Sequence, residues 1–353
     1  MIKPVKIHNK LIGPGHPCFI VAEAGVNHNG DVGIAHQLID TAVRAGADAI
    51  KFQSFITEDL ITPEAQKAAY QLKATGVGGT QYEMLKGLEL SSQDHSELKK
   101  HCEQKDIVYL CTPYESKSVD MLDSLDVSAF KIASTDTNNI PFLRYVASKG
   151  RPVILSTGMT NLGEVENALD ALKIGGLAGD IIIMHCTSEY PAPVKDSNLK
   201  VINTLRQAFQ CPVGFSDHTT GVDVSAWAVA IGASAIEKHF TMDRGMEGPD
   251  HKASMEPDEL VALVQAIRSV EIALGDGIKH PMPSEILNRK HMRKSVVANR
   301  DIEAGEVVLE RDLVCKRPGI GLEPFWMEKI VGKKTKKNIQ RDELIDLSDI
   351  DWN

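Results

Sequence analysis

Eight short apolar runs, each followed by a segment of helical character, constrain the fold of this chain more than any other feature. One such segment, residues 31–45, places apolar side chains at Ile34, Leu38, Ile39 and Val43, the spacing of one helix face. Apolar strands that alternate with helices indicate a parallel sheet covered on both faces. The runs are Phe19–Gly25, Ala49–Phe55, Ile107–Tyr114, Ala129–Ser134, Pro152–Met159, Ile181–Tyr190, Val213–His218 and Ala235–Thr241.

Eight strand–helix units over roughly 250 residues predict an α/β fold of the (β/α)8 TIM barrel type. A doubly wound sheet is the alternative, but no GxGxxG motif follows the first run. The pattern changes at Gly275–Pro283, which is rich in Gly and Pro, and short β-like pieces with frequent turn residues follow. We therefore predict a barrel over 1–275, a linker over 276–292 and a small, mostly β domain over 293–353.

Charge and composition narrow the class of partner. A formal net charge of −9 argues against a nucleic-acid binder, which needs a basic surface. The apolar stretches are far shorter than the ~20 residues of a membrane span, and no signal-peptide core precedes the first run. The six cysteines form no CxxC pair, which favours free thiols in a reducing compartment. We expect a cytoplasmic protein with no membrane or nucleic-acid partner.

Polar residues lie near the carboxyl ends of the predicted strands, where TIM barrels collect their functional groups. Buried charges there need partners or a ligand, and two lysines among hydroxyl groups favour a site for phosphate and carboxylate. For either lysine alone, a salt bridge to a neighbouring strand is the alternative. In strand order these residues are Glu23; Lys51 and Gln53; Thr112; Lys131 and Ser134; Ser156; His185, Ser188 and Tyr190; Ser216, Asp217 and His218; and Glu237, Lys238 and His239.

Two histidines among them predict a metal site. His218 and His239 end adjacent predicted strands, so their imidazoles can converge on one divalent ion. Only two protein ligands are offered, which leaves positions for water and substrate, as in a catalytic rather than a structural site. Because no cysteine ligand converges with them, Mn²⁺ or Mg²⁺ is favoured over Zn²⁺.

Long motifs also carry a family resemblance over nearly the whole chain. FIVAEAGVNHNGD, AIKFQSF, ILSTGM, HCTSEYPAP, GFSDHTTG, EKHFT and GPDHKAS, in this order, resemble the sialic acid synthase family. KSVVANRDIEAGEV and KRPGIG resemble the antifreeze-like (SAF) domain of the same enzymes. The resemblance implies a transferase that condenses phosphoenolpyruvate with an N-acetylated mannose-type sugar, giving a nine-carbon 2-keto acid and phosphate. The expected activity is N-acetylneuraminate synthesis from N-acetylmannosamine; N,N′-diacetyllegionaminate synthesis from 2,4-diacetamido-2,4,6-trideoxymannose is the alternative.

The resemblance also implies roles for individual residues. His218 and His239 would hold the metal that polarises the sugar aldehyde, and Glu23 would act as a base towards the attacking water. Arg317 would reach over the barrel of a second subunit, which implies a domain-swapped homodimer. Lys51, Thr112, Lys131, Ser134, Ser156 and Ser216 would bind phosphoenolpyruvate, and Gln53, Tyr190 and Asp250 would contact the sugar.

Two positions depart from the family pattern. Many members read SGE where this chain has Ser134-Thr135-Asp136, so Asp136 keeps the carboxylate of a sugar contact but is one methylene shorter. Ser188 stands where some members have Asn. Two other functions stay open: a Schiff-base aldolase that uses Lys131 or Lys51 and no metal, and a sugar- or ice-binding protein that uses the tail domain.

Overall fold

The computed structural model describes residues 2–76, 78–177 and 179–353, and it divides into two compact units between Gly275 and Asp276. The strands of the first unit are an N-terminal hairpin and a set of eight: β1 (Val5–Ile7), β2 (Lys10–Ile12), β3 (Phe19–Gly25), β4 (Ala49–Ser54), β5 (Val108–Pro113), β6 (Phe130–Ile132), β7 (Val153–Ser156), β8 (Ile181–Cys186), β9 (Val213–Asp217) and β10 (Ala235–His239).

These eight strands, β3 to β10, form one parallel sheet among the described residues. Its order is β5-β4-β3-β10-β9-β8-β7-β6, and the two end strands β5 and β6 lie side by side. The sheet is therefore a nearly closed barrel, and the predicted TIM-barrel fold is confirmed. The helices of this unit are α1 (Val32–Ala45), α2 (Thr57–Leu60), α3 (Ala69–Thr75), α4 (Gln81–Lys86), α5 (Ser92–Gln104), α6 (Ser116–Ser124), α7 (Ile140–Ala147), α8 (Leu162–Ile174), α9 (Val201–Phe209), α10 (Asp223–Ala230) and α11 (Pro257–Leu274).

Local sequence sets the ends of these elements, as α1 illustrates. The Asp31 side chain accepts hydrogen bonds from the first-turn amides of Gly33 and Ile34 and so caps the helix start. Gly46 ends the helix at φ 80°, a left-handed conformation that costs glycine little. The helix predicted over 31–45 therefore forms with its expected boundaries.

The apolar core leaves the carboxyl end of the barrel free for polar residues. One layer packs the outer strand faces against the helices, with Ile20 and Leu38 fully buried in it. A second cluster fills the barrel interior towards the amino ends of the strands, where Val5 and Ile7 of the hairpin join Phe19. Apolar side chains and the hairpin therefore close the amino end of the barrel. The polar strand-end residues lie at the opposite, carboxyl end.

The second unit is small and built on short antiparallel strands. Its core includes Val296, Val308, Ile339 and Ile350. The segment 276–292, predicted as a linker, contains an exposed helix that the Gly- and Pro-rich stretch before it obscured. The elements are α12 (Ile286–Met292), β11 (Ser295–Ala298), β12 (Leu313–Lys316), α13 (Met327–Ile330), β13 (Lys334–Thr335) and β14 (Ile350–Asp351).

Two composition-based expectations can be compared with the described residues. All six cysteines carry free thiols. Across residues 2–76, 78–177 and 179–353, no helix is both long and apolar enough to cross a membrane.

Candidate active site

A cavity of about 500 Å³ opens at the carboxyl ends of the barrel strands. The topology explains it, because all eight parallel strands end at the same rim and deliver their last side chains to one place. Most residues predicted from the sequence line this cavity. They are Glu23, Lys51, Gln53, Thr112, Lys131, Ser134, Ser156, Ser188, Tyr190, Ser216, His218, His239 and Asp250.

Two lysines and two glutamates form a buried charge cluster on one side of the cavity. Lys51 Nζ lies 2.8 Å from Glu23 Oε2 and 3.7 Å from Glu237 Oε1. Lys131 Nζ lies 3.2 Å from the same Glu237 oxygen, and all four side chains are between 2% and 6% exposed. The salt-bridge alternative for the lysines is thus present, yet its ion pairs lie in the cavity wall, where an anionic ligand can compete for them.

The pKa values of the two glutamates differ because the two carboxyl groups have different charged neighbours. Burial, together with the charge of Glu237, raises the pKa of Glu23 to about 7, against the attraction of Lys51. Burial also opposes the charge on Glu237, but attraction to Lys131 and Lys51 outweighs it and lowers that pKa to about 2. The Ser216 hydroxyl adds a hydrogen bond of 3.1 Å to Glu237. The charged form is therefore favoured at Glu237, which pairs with both lysines, whereas the pKa of Glu23 is shifted towards neutral pH.

Hydroxyl groups and a close backbone approach form a second side of the cavity. The Gly158 amide donates to Ser134 Oγ at 2.9 Å, and Ser134 Oγ lies 3.1 Å from Cys186 Sγ. A Cβ at position 158 would lie 2.2 Å from Ser188 Oγ, so only glycine fits there without displacing these groups. The Ser156-Thr157-Gly158 turn after β7 thus brings its backbone close to the side chains of Ser134, Cys186 and Ser188.

His218 and His239 face the same cavity with their ring centroids 5.6 Å apart. The Thr187 carbonyl accepts a hydrogen bond of 2.8 Å from His218 Nδ1, which fixes the tautomer and leaves the lone pair on Nε2. The buried His239 Nδ1 has no hydrogen-bond partner among the described residues. Burial lowers the pKa of both imidazoles, to about 4 for His218, so both are neutral at pH 7.

This pair fits a divalent cation. Neutral imidazole nitrogens with free lone pairs are good ligands for such ions. In the part of the chain that the structure describes, no group of three or more His, Cys, Asp or Glu side chains gathers as a metal site. Two protein ligands would therefore leave the other positions to water or substrate, as in a catalytic centre.

A buried ion pair that does not line the cavity holds the end of β9 in place. Asp217 Oδ2 lies 2.8 Å from Lys238 Nζ, and both side chains are at most 3% exposed. Asp217 also accepts hydrogen bonds from Ser225 and from the Thr219 amide. This network holds the residues on either side of Asp217 in place, with Ser216 and His218 directed to the cavity.

Besides His185, Asp217 and Lys238, two residues to which the family resemblance gave roles do not line the cavity. Asp136 lies in a 3₁₀ turn, Ser134–Asp136, where Asn139 Nδ2 donates to its carboxylate at 3.0 Å and Thr135 lines the cavity instead. Its role as a sugar contact stays a prediction. Arg317 belongs to the second unit, where it is exposed and its Nε donates to the Met292 carbonyl at 3.1 Å.

Sequence reasoning assigned no role to several groups that the structure brings into the cavity. Glu237 was visible at a strand end, but its position between both lysines was not. Tyr70 comes from α3, in a region without strand-end signals, and its ring lies 4.9 Å from that of Tyr190. Tyr190 in turn lies 4.3 Å from the His218 ring, so a line of aromatic rings leads from α3 to the histidine pair.

Comparisons with known proteins assign the chain to a family. The NeuB family model matches residues 38–279, and the SAF domain model matches residues 293–351. The chain is 48% identical to the N,N′-diacetyllegionaminic acid synthase of Campylobacter jejuni, over 92% of this chain and 98% of that protein. It is 45% identical to the enzyme of the same name from Legionella pneumophila, over 93% of each.

A solved structure gives the same result for the fold. The crystal structure of an N-acetylneuraminic acid (sialic acid) synthetase from Leptospira borgpetersenii, in complex with citrate, superposes with a TM-score of 0.72. It is 35% identical and covers 82% of this chain and 95% of that one. The identities thus favour the legionaminate alternative over the N-acetylneuraminate activity expected first. The chain belongs to the NeuB family and carries a SAF domain.

Proposed function

We propose that this protein condenses phosphoenolpyruvate with 2,4-diacetamido-2,4,6-trideoxymannose, forming N,N′-diacetyllegionaminate and phosphate with the help of a divalent metal. The observation that carries the choice of sugar is the 48% identity to a legionaminic acid synthase over nearly the full length of both proteins. The buried charge cluster beside a pair of neutral histidines supports the choice of reaction.

The reaction balances without a redox partner. The methylene carbon C3 of phosphoenolpyruvate bonds to the aldehyde carbon of the open-chain sugar, and the aldehyde oxygen takes up a proton. Water then adds to the neighbouring carbon, which has become electron-poor. Loss of phosphate from that carbon, with loss of the added water's remaining proton, leaves the 2-keto acid.

The lysines and hydroxyls of the cavity would bind the anionic substrate. Lys51 and Lys131 supply positive charge, and Ser134, Ser156 and Thr112 supply directed donors. Because both lysines already pair with carboxylates, an arriving anion has to weaken those pairs.

Glu23 is also the group placed to handle water. Its Oε1 accepts a hydrogen bond of 3.2 Å from Gln53 Nε2, which orients the carboxyl in the cavity. As a carboxylate it would orient the attacking water and accept its proton. His218 and His239 would hold the divalent ion, Mn²⁺ or Mg²⁺, which when bound supplies Lewis acidity towards a carbonyl oxygen.

Replacing either lysine by methionine should raise the KM for phosphoenolpyruvate more than the KM for the sugar, because an ammonium facing phosphate mainly binds the anion. The control is Lys149→Met, which breaks an ion pair with Asp120 outside the cavity. Steady-state kinetics on Lys51→Met, Lys131→Met and the control checks this. A KM change confined to the sugar would reassign both lysines.

The proposal includes a domain-swapped homodimer in which Arg317 acts at the barrel of the partner chain. Arg317→Ala and His218→Ala proteins, each inactive, should regain activity after they are mixed, dissociated and reassociated. A mixed dimer then has one site with both defects and one with neither, so activity approaches about a quarter of wild type. Mixed dimers without activity would contradict the arrangement.

Phosphate release from phosphoenolpyruvate tests the reaction itself. Release is expected only when the acetamido sugar is present, and borohydride added with the substrates should not inactivate the protein. Borohydride inactivation together with indifference to a chelator would favour the Schiff-base aldolase instead.

A further inference from the structure

The cavity has one side that the proposed reaction does not use. Six residues of the cavity lining form an apolar wall, in contrast to the charged residues at the strand ends. They are Val26, Phe55, Leu60, Ile61, Met84 and Leu85. Val26 and Phe55 follow strands β3 and β4, and the other four come from the excursion α2–α4. Among the residues of 57–86 whose side chains the structure describes, the others that line the cavity are Ala68, Ala69, Tyr70, Gln71 and Gln81, and none of these is charged.

This wall is anchored well enough to act as a fixed surface. Val26 and Phe55 are buried in a small cluster with Leu88, and Leu60 and Leu85 pack against it. Lys86 lies 2.9 Å from Glu58 and 3.0 Å from Glu89, which ties α4 to α2. The Thr57 amide at the start of α2 donates to Glu89 at 2.7 Å.

The position of the wall relative to the reacting groups tells which part of a sugar meets it. The aldehyde carbon has to lie near Glu23 and the histidines, at the strand ends. The far end of the sugar, from C4 to C6, then extends away from the strand ends towards the loops that line the cavity, and the excursion α2–α4 supplies most of the apolar side of those loops. An apolar surface there favours a methyl group and gives a hydroxyl no charged partner and a phosphate no cation.

Resting on the proposed function, we infer that the apolar wall determines acceptor specificity: it receives the C6 methyl and the C4 acetamido methyl of a 6-deoxy sugar. It thereby selects against acceptors with a C6 hydroxyl or a C6 phosphate.

The test compares kcat/KM for three acceptors: 2,4-diacetamido-2,4,6-trideoxymannose, N-acetylmannosamine and N-acetylmannosamine 6-phosphate. The variants are Ile61→Thr, Met84→Gln and both combined, since each replaces apolar surface by a polar group of similar size. Ile61 and Met84 are half-buried, so the variants should fold, and an unchanged KM for phosphoenolpyruvate verifies this. Ile174→Thr, at a side chain 69% exposed on α8, is the control.

Wild type is expected to prefer the trideoxy sugar, and the combined variant should narrow that preference over N-acetylmannosamine by about tenfold or more. The control should leave the preference unchanged. If wild type prefers the trideoxy sugar and the variants keep the same ratio of kcat/KM values, the wall does not determine acceptor specificity, although the proposed function stands. If wild type prefers N-acetylmannosamine or its 6-phosphate, both the proposed function and the wall's role are overturned.

Discussion

His218→Ala is expected to lower the rate of phosphate release by about a hundredfold or more. The variant removes one of two neutral imidazoles that face the cavity and would hold the metal. Lewis-acid stabilisation supplies several kcal/mol of barrier lowering, and each ~1.4 kcal/mol is a factor of ten in rate. His36→Ala is the control, because that half-buried histidine pairs with Glu97 outside the cavity. Initial rates at saturating substrates measure the effect.

Chelation should reproduce the effect of the variant. EDTA is expected to abolish phosphate release from wild type, and added Mn²⁺ should restore it. The His218→Ala protein should gain little from the same addition. Full activity of the variant, or indifference of wild type to the chelator, would mean that the histidine pair has another role.

Glu23→Gln should fold and bind substrates but turn over about 10²–10⁴-fold more slowly, the usual contribution of a general acid–base group. The amide keeps the shape of the carboxyl and its contact with Gln53, yet it cannot take a proton from water. Glu97→Gln, at a side chain 57% exposed, is the matched control. The measurement is kcat for both variants together with the KM for each substrate.

A smaller loss of kcat in Glu23→Gln would change the role assigned to Glu23. If kcat falls less than tenfold, or roughly 1.4 kcal/mol of barrier, the carboxyl only positions its neighbours. Lys51, which lies 2.8 Å away, would then be the group affected. In that case the KM for phosphoenolpyruvate should rise instead.

The barrel and the polar side of its cavity could be predicted because both follow from one regularity. Apolar strands in a parallel sheet all run the same way, so Lys51, Lys131 and His239 had to arrive at the same rim. The register adds detail that the sequence does not contain. Glu237 pairs with Ser216 across β9 and β10, which brings its carboxylate to both lysines.

Other parts could not be predicted because no periodic pattern marks them. Four of the six residues of the apolar wall come from the excursion α2–α4, whose three short helices show no strand-end signal in the sequence. Asp136 follows a strand end like the other candidates, but a 3₁₀ turn places Thr135 on the cavity in its stead. The helix α12 was hidden by the Gly- and Pro-rich stretch before it.

An internal competition experiment tests the central claim most directly. Wild-type protein, phosphoenolpyruvate and Mn²⁺ are given equal amounts of the three acceptors, and the products are identified by mass spectrometry at low conversion. The product ratio reports the ratio of kcat/KM values. We predict that N,N′-diacetyllegionaminate dominates, with one phosphate released per product. Dominance of N-acetylneuraminate or its 9-phosphate would contradict the account.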